Sequence, residues 1–200
     1  MILIQARTNS TRLPEKIYKE IAAKPILSYV VDACEGHDVV VIGPEKDEKL
    51  YAFCGHMGYK WFGGSEDDLV ARYWAAIQHL EADFCVRLTG DCWKMTKNMV
   101  STVMSLAGKV DYVSNTMTRS FMEGLDIQAG SRRAWEWLDK FQHTDREHPW
   151  LHFDENKIVR NMFAHEKMTY CEIRNQENPI FIHTSIDTQE DYDKACNQLR

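Results

Sequence analysis

The chain has 200 residues, 44% of them apolar and 27% charged, with a formal net charge of −6. A chain of this length buries about two-thirds of its unfolded surface without help from a metal or disulfide, and its ordinary composition excludes long disordered tracts. The acidic balance argues against general nucleic-acid binding, which needs a broad excess of Lys and Arg; the longest apolar runs fall far below the roughly 18 residues of a membrane span.

Short β-branched runs alternate with amphipathic stretches, the pattern of an α/β domain with a mostly parallel mixed sheet flanked by helices. The first strand is predicted over Ile2 to Ala6. Pro25 and Gly36 then bracket a helix carrying Ile26, Leu27, Val30, Val31 and Cys34 at helical spacing. Strands follow at Asp38 to Ile42 and at Tyr59 to Phe62. Ser65, with Asp68 three residues on, has the spacing of a capping box that opens a helix through Leu69, Tyr73, Ala76, Ile77 and Leu80. Further strands are predicted over Asp83 to Leu88, Asp111 to Asn115 and Leu125 to Gln128, with a weaker one near Met168 to Ile173. Thr96 and Ser131 are helix caps, and Thr188 with Asp191 repeats the capping-box spacing. From about Arg119 aromatic and charged residues displace the regular alternation, which predicts a less regular lobe closing over a site. With no repeat or linker, residues 1–200 read as one domain.

Six cysteines, at 34, 54, 85, 92, 171 and 196, are irregularly scattered without a C-x-x-C pair. They signal neither a zinc ribbon nor a disulfide framework and read as small reduced core residues. With no leader-like N-terminus, the expected location is the cytoplasm.

The loop after the first strand reads Gln5-Ala6-Arg7-Thr8-Asn9-Ser10-Thr11-Arg12-Leu13-Pro14-Glu15-Lys16. In open α/β sheets ligands bind beyond the carboxyl ends of the strands. Three cations and several hydroxyls suit a polyphosphate, because guanidinium holds phosphate oxygens in a planar fork and Lys adds a point charge. Taken alone, the loop is equally a solvated basic turn. It carries neither a Walker A sequence nor G-x-G-x-x-G.

The loop resembles the signature Q-A-R-x-x-S-T-R-L-P-G-K of the cytidylyltransferase family that activates acidic sugars as CMP conjugates, and especially its spore-coat polysaccharide branch. Every fixed position matches except Glu15, where the family has Gly. Six more segments follow in family order: Gly64-Ser65-Glu66-Asp67-Asp68 with Arg72-Tyr73, Val86-Arg87-Leu88-Thr89-Gly90-Asp91-Cys92, Asp111-Tyr112-Val113-Ser114-Asn115-Thr116, Phe121 with Gly124-Leu125-Asp126, Arg146-Glu147-His148, and Ile186-Asp187-Thr188 with Glu190-Asp191. Together they span almost the whole chain.

The resemblance implies a nucleotide-diphospho-sugar transferase fold related to the GT-A glycosyltransferases, with residues 1–118 mainly nucleotide-binding and 119–185 mainly on the acceptor side. It implies that CMP passes from CTP to a sugar acid or similar small hydroxylated or phosphonate acceptor, with pyrophosphate released and Mg²⁺ as cofactor. Gln5 and Ala6 would bind the nucleotide, with Arg7, Ser10, Arg12 and Lys16 holding its triphosphate and Gly64, Ser65 and Asp67 helping to seat the nucleoside. Arg12, Lys16 and Asp91 would be catalytic, Asp91 and Asp187 would share the metal, and Asp126, Asn115 and His148 would face the acceptor. Family relatives also suggest a homodimer.

Each of these residues has a plainer reading. Asp91 follows a strand and a Thr-Gly turn, where Asp often bonds local backbone. Asp187 precedes a capped helix, and Asp126 fits a polar strand end. His148 and His152 have a helical ligand spacing, but Pro149 argues against an unbroken helix and no third ligand is signalled, so an acceptor-side or structural role for His148 stands ahead of a metal. Trp135 and Trp137 read as packing residues. Glu15 and Trp93, the latter replacing a family proline, are departures that leave two rivals open: a nucleotide-sugar glycosyltransferase on the same fold, or a nucleotide-binding module without catalysis.

Overall fold

The computed structural model describes residues 1–141, 145–175 and 184–198, without the side chain of His152. In chain order the elements are β1 (Ile2–Gln5), a 3₁₀ turn (Lys16–Tyr18), β2 (Glu20–Ile21), β3 (Lys24–Pro25), α1 (Ile26–Ala33), β4 (Val39–Pro44), α2 (Glu48–Met57), β5 (Trp61–Gly64) and α3 (Leu69–His79). They continue with β6 (Phe84–Thr89), α4 (Lys97–Met104), β7 (Tyr112–Ser114), β8 (Gln128–Ser131), α5 (Arg132–Lys140), α6 (Leu151–Glu155), α7 (Lys157–His165), β9 (Tyr170–Glu172) and α8 (Gln189–Gln198).

Among the described residues seven strands form one sheet in the order β5-β4-β1-β6-β8-β7-β9. Only β8 runs against its neighbours, antiparallel to both β6 and β7; the other pairs are parallel. β1 lies at the centre of the parallel part, with Ile2 opposite both Val39 and Val86. The alternation of side chains along a strand sorts the core into two layers. Ile2, Ile4, Val41 and Val86 meet Leu27, Val30, Leu50 and Val100 on one face. Leu3, Val40, Ile42 and Cys85 meet Tyr73, Trp135, Phe153 and Phe163 on the other. Helices cover both faces, as a parallel sheet requires. A third cluster, with Leu13, Ile21, Trp93 and Ile186, binds the first loop to the C-terminal segment. No described helix is long and apolar enough to cross a membrane.

The caps expected at Thr96 and Ser131 form, accepting from the backbone N–H of Met99 at 3.2 Å and of Ala134 at 3.2 Å. Thr188 and Asp191 bond reciprocally, with Asp191 N–H donating to Thr188 Oγ1 at 3.3 Å and Thr188 N–H to Asp191 Oδ2 at 2.9 Å. The α3 cap lies three residues later than the capping-box spacing suggests. Asp68 accepts from Ala71 N–H at 2.8 Å, and Ser65 accepts in turn from Asp68 N–H at 3.1 Å. Pro25 is the residue before the first turn of α1, not within it.

Other differences have local causes. β8 begins at Gln128, where the sequence pattern predicts its end, because the side chain of Asn115 takes the N–H of Ile127 (2.9 Å) and the C=O of Leu125 (2.8 Å). The β2–β3 hairpin, unforeseen in the sequence, turns on Ala22 and Ala23 at φ of 49° and 61°, positions where Asn or Gly is the usual signal. α2, also unforeseen, buries only Leu50 and Cys54, too few for a visible stripe. The region predicted as a less regular lobe holds α5, α6 and α7, whose aromatic residues complete one core layer; residues 142–144 and 176–183 of that region, and the His152 side chain, lie outside the described residues. Trp135 is fully buried and stacks on Tyr73 at 4.9 Å between centroids. All six cysteines are unpaired, and burial pushes the Cys34 and Cys54 thiols up to about 12.

Candidate active site

The carboxyl ends of β1 and β6 open into a cleft of about 400 Å³, the place an α/β sheet reserves for ligands. The first loop enters it after Gln5. Asp47, the cap of α2, pins that loop by accepting from Thr8 N–H (2.7 Å) and Thr8 Oγ1 (2.6 Å) while also accepting from Leu50 N–H at 3.1 Å. Lys16 opens the 3₁₀ turn that follows, so its side chain is carried back over the strand ends.

The centre of the cleft is a charge cluster gathered from three distant segments. Lys16 Nζ donates to Asp91 Oδ2 and, at 3.2 Å, to Asp187 Oδ1. Arg12 Nη2 reaches the same Asp187 oxygen at 2.8 Å. Burial lowers the Lys16 pKa, but the charge and hydrogen bond of Asp91, and then of Asp187, outweigh it and hold the ammonium above its ordinary value. Two carboxylates separated by nearly half of the sequence therefore converge on a single cationic point.

Backbone detail fixes each carboxylate. Gly90 N–H donates to Gln5 C=O at 2.9 Å, and a Cβ on Gly90 would stand 3.2 Å from that oxygen; the Thr-Gly turn thus lets Asp91 lie close against the end of β1. Asp187 belongs to a segment held from both sides. Trp93 Nε1 donates to Thr184 C=O at 2.9 Å, and Thr184 donates through N–H (2.8 Å) and Oγ1 (2.7 Å) to Glu123 C=O. Gly124, at φ +94°, makes this contact possible, since a Cβ there would sit 2.4 Å from Ser185 N. The departure at Trp93 is therefore part of the support for Asp187.

The departure at Glu15 also has a structural account. Its φ of 56° and ψ of 25° are left-handed, the conformation a family Gly adopts freely. Its carboxylate turns outward to Lys49 Nζ at 2.5 Å, away from the cleft, which it does not line.

Gln5, Ala6, Arg7, Arg12, Lys16 and Asp67 line the cleft, as do Asp91, Asp126, His148 and Asp187. Asp126 is held by Arg119 in a two-pronged contact at 3.2 and 3.4 Å, and His148 Nδ1 lies 2.7 Å from Asp145 Oδ2. Ser10, Gly64, Ser65 and Asn115 do not line it. Gly64 and Ser65 act beneath it: the Arg72 side chain passes where a Gly64 Cβ would stand, 2.8 Å from Arg72 Cγ, and Arg72 Nε donates to Ser65 C=O at 2.6 Å. Asn115 is 2% exposed, its amide committed to Leu125 and Ile127; it shapes the approach to β8.

Two cleft cations were not singled out from the sequence. Arg72 is 4% exposed and bonds Ser65 and Glu66 carbonyls; burial holds its pKa below the ordinary value. Arg87 lies on the cleft floor. Its position inside the apolar run Phe84-Cys85-Val86-Arg87-Leu88 is the signal that could have found it, because a buried strand carries a cation only at a cost.

Comparison with known proteins decides the family. A family model described as "Cytidylyltransferase" matches residues 1–198. The chain belongs to the cytidylyltransferase family. A cytidylyltransferase of known structure from Leptospira borgpetersenii serovar Hardjo-bovis (strain JB197) is 31% identical and superposes with a TM-score of 0.83, over 98% of this chain and 84% of that one. The spore coat polysaccharide biosynthesis protein SpsF of Bacillus subtilis (strain 168) is 32% identical over 101 residues, 46% of this chain and 42% of SpsF. CMP:2-keto-3-deoxy-manno-octonic acid synthetase, solved with CTP, shares the fold at a TM-score of 0.70 and 14% identity, over 98% of this chain and 96% of its own. A cytidylyltransferase is a nucleotidyltransferase, and the mostly parallel mixed sheet flanked by helices is the fold shared with the two solved structures.

Proposed function

We propose that the chain transfers CMP from CTP to a hydroxyl of a small hydroxylated acid, with release of pyrophosphate. The observation that carries this reading is the meeting of Asp91 and Asp187 at Lys16 Nζ, across 75 and 171 residues of sequence. The residues suit Mg²⁺, which takes hard oxygen donors and is commonly held by one or two carboxylates together with substrate phosphates. Among the described residues no group of three or more acidic, His or Cys side chains could hold an ion without such help. Asp91 and Asp187 would be the protein's ligands, and the ion, when bound, supplies charge neutralisation on the phosphate oxygens.

In this reading Arg7, Arg12 and Lys16 bind the triphosphate, and Asp67 lies on the nucleoside side. The acceptor, on the side of Asp126 and His148, presents its oxygen in line with the bond to the departing pyrophosphate. A bond forms between that oxygen and the α-phosphorus as the bond to the α,β-bridging oxygen breaks; the hydroxyl proton passes to solvent and the bridging oxygen departs with pyrophosphate. Arg12 and Lys16 stabilise the charge that develops on the leaving group, and the rest of the rate comes from alignment. The raised pKa of Lys16 keeps it cationic throughout the neutral range.

Pyrophosphate release with each of the four NTPs, Mg²⁺ and a panel of sugar acids and hydroxyalkyl phosphonates tests the proposal. CTP is expected to support release at least tenfold faster than the others, and only with an acceptor present. Equal use of all four nucleotides would remove the CTP assignment. Release of a nucleoside diphosphate or CMP from a nucleotide sugar would replace the reaction with glycosyl transfer.

A further inference from the structure

Arg87 pairs across the sheet with Leu3 of β1 and Gln128 of β8, so its side chain leaves the sheet beside that of Gln128 and on the face that carries α3. Nε donates to Gln5 Oε1 at 3.0 Å and Nη1 to Gln128 Oε1 at 2.8 Å. Both partners are neutral amide oxygens. A guanidinium has five N–H donors, and those of Nη2, with one of Nη1, have no partner among the described residues.

The orientation of the fork is imposed from behind. Gln128 is 5% exposed, and its Nε2 donates to Asp154 Oδ2 at 2.6 Å. Asp154 is itself buried and accepts from Tyr112 Oη (2.9 Å), Ser114 Oγ (3.0 Å) and Thr116 Oγ1 (2.5 Å). Because a guanidinium only donates, Gln128 must turn its oxygen to Arg87 and hence its amino group to Asp154. Gln5 Oε1 is fixed likewise by Tyr73 Oη at 3.2 Å. The guanidinium is thus held in one plane by groups that leave its charge uncompensated, which favours an anion far more than an arginine already paired with a carboxylate would. Asp126 and Glu147, also on the cleft wall, are suited to accept from hydroxyls.

We propose that Arg87 receives the acidic group of the acceptor, a carboxylate or phosphonate held bidentately, while the wall carboxylates take its hydroxyls. The inference rests on the nucleotidyltransferase reading and deepens it: the acceptor is a polyhydroxylated anion, and Gln128 and Asp154 are positioning residues acting through Arg87.

Calorimetric titration of the full chain, saturated with Mg²⁺ and α,β-methylene-CTP, tests it. The probes are gluconate, glucuronate and 2,3-dihydroxypropylphosphonate, each against its neutral counterpart (glucitol, glucuronamide and glycerol). At least one acid is expected to bind and its neutral counterpart not; Arg87→Gln is expected to weaken that acid at least tenfold, Arg87→Lys less, with the affinity for the CTP analogue within threefold of wild type in both. The carboxylate and phosphonate arms identify the preferred anion. Failure of every acid to bind, or unchanged acid affinity in folded Arg87→Gln, overturns the proposal. So does a loss confined to the CTP analogue. Should Arg87→Gln not fold, Arg87→Lys decides: undiminished acid binding by it also overturns the fork. If wild-type protein does not bind the CTP analogue, the nucleotidyltransferase reading fails, and acid titration of the nucleotide-free protein with the same variants decides Arg87 separately.

Discussion

Asp91 and Asp154 are both aspartates close to the sheet, and their surroundings could hardly differ more. Asp91 stands on a turn beyond β6 and faces the cleft with a lysine as its partner. Asp154 lies on α6, 4% exposed, and accepts four hydrogen bonds from neutral side chains of the β7, β8 and 116 region. On the parallel half of the sheet the strands are apolar but for Gln5, Arg87 and Thr89 toward their carboxyl ends, and most polar residues of the cleft collect on the loops that follow. On the β8-β7-β9 half they enter the strands and bond one another. A carboxylate on a strand-end loop remains available to a ligand; one enclosed by four donors is spent on architecture.

The sharpest way to break that contrast is Asp91→Ala. In the proposed reaction it is expected to lower Mg²⁺-dependent pyrophosphate release by at least about a thousandfold, roughly 4 kcal/mol of barrier, with native far-UV circular dichroism. Normal release by the folded variant would show that Asp91 is no more functional than Asp154. Asp154→Ala should do the reverse, costing about 2 to 3 kcal/mol of stability in mild acid, measured by urea unfolding, because it strands several buried donors. Burial raises the Asp154 pKa against the pull of Thr116, Gln128, Tyr112 and Ser114. A carboxyl raised in the folded state stabilises fully below its ordinary pKa and loses that contribution as pH rises through the folded value. The deficit of Asp154→Ala should therefore be largest below about 3.8 and shrink as pH rises; a deficit that grows with pH would reverse the assignment.

Gly124→Ala probes the junction between the two halves. A Cβ 2.4 Å from Ser185 N must push the 184–187 segment away, so turnover is expected to fall about 10- to 100-fold together with about 2 kcal/mol of stability. Wild-type activity and melting would show that the junction does not set Asp187. The smallest effect is expected at Glu15. Replacing it with Gly relieves a left-handed backbone at the loss of an exposed pair with Lys49, a net change of no more than about 1 kcal/mol, with turnover within twofold. A large loss of activity would bring the Glu15 carboxylate back into the reaction.

The parallel half was readable because its physics is local. Ile2, Leu3 and Ile4, or Val40 to Ile42, are buried on both faces and print as unbroken apolar runs, and Thr96 and Ser131 announce their helices with a single hydroxyl. Arg7, Arg12, Lys16, Asp67, Asp91, Asp126, His148 and Asp187 of the cleft were readable through motif order, whereas Arg72 and Arg87 were not singled out. What escaped depends on partners remote in sequence. Asn115 has the composition of a ligand-binding residue, and only its two bonds to the backbone at 125 and 127 reveal its work. Nothing near Arg87 in sequence discloses that Gln5, Gln128 and, through Gln128, Asp154 set its plane. Ala22 and Ala23 form a tight turn that carries no turn residue.

The 171 residues between Lys16 and Asp187 also bear on how the protein is made. At typical translation rates of about 5 to 20 residues per second, about 10 to 30 s pass between the synthesis of Lys16 and that of its second acidic partner. Asp91 follows Lys16 after 75 residues and Asp187 after 171, so the two carboxylates reach the lysine one after the other. The cluster at the Lys16 ammonium therefore closes only after Asp187 has been made, and a metal shared by the two aspartates could not be held before then.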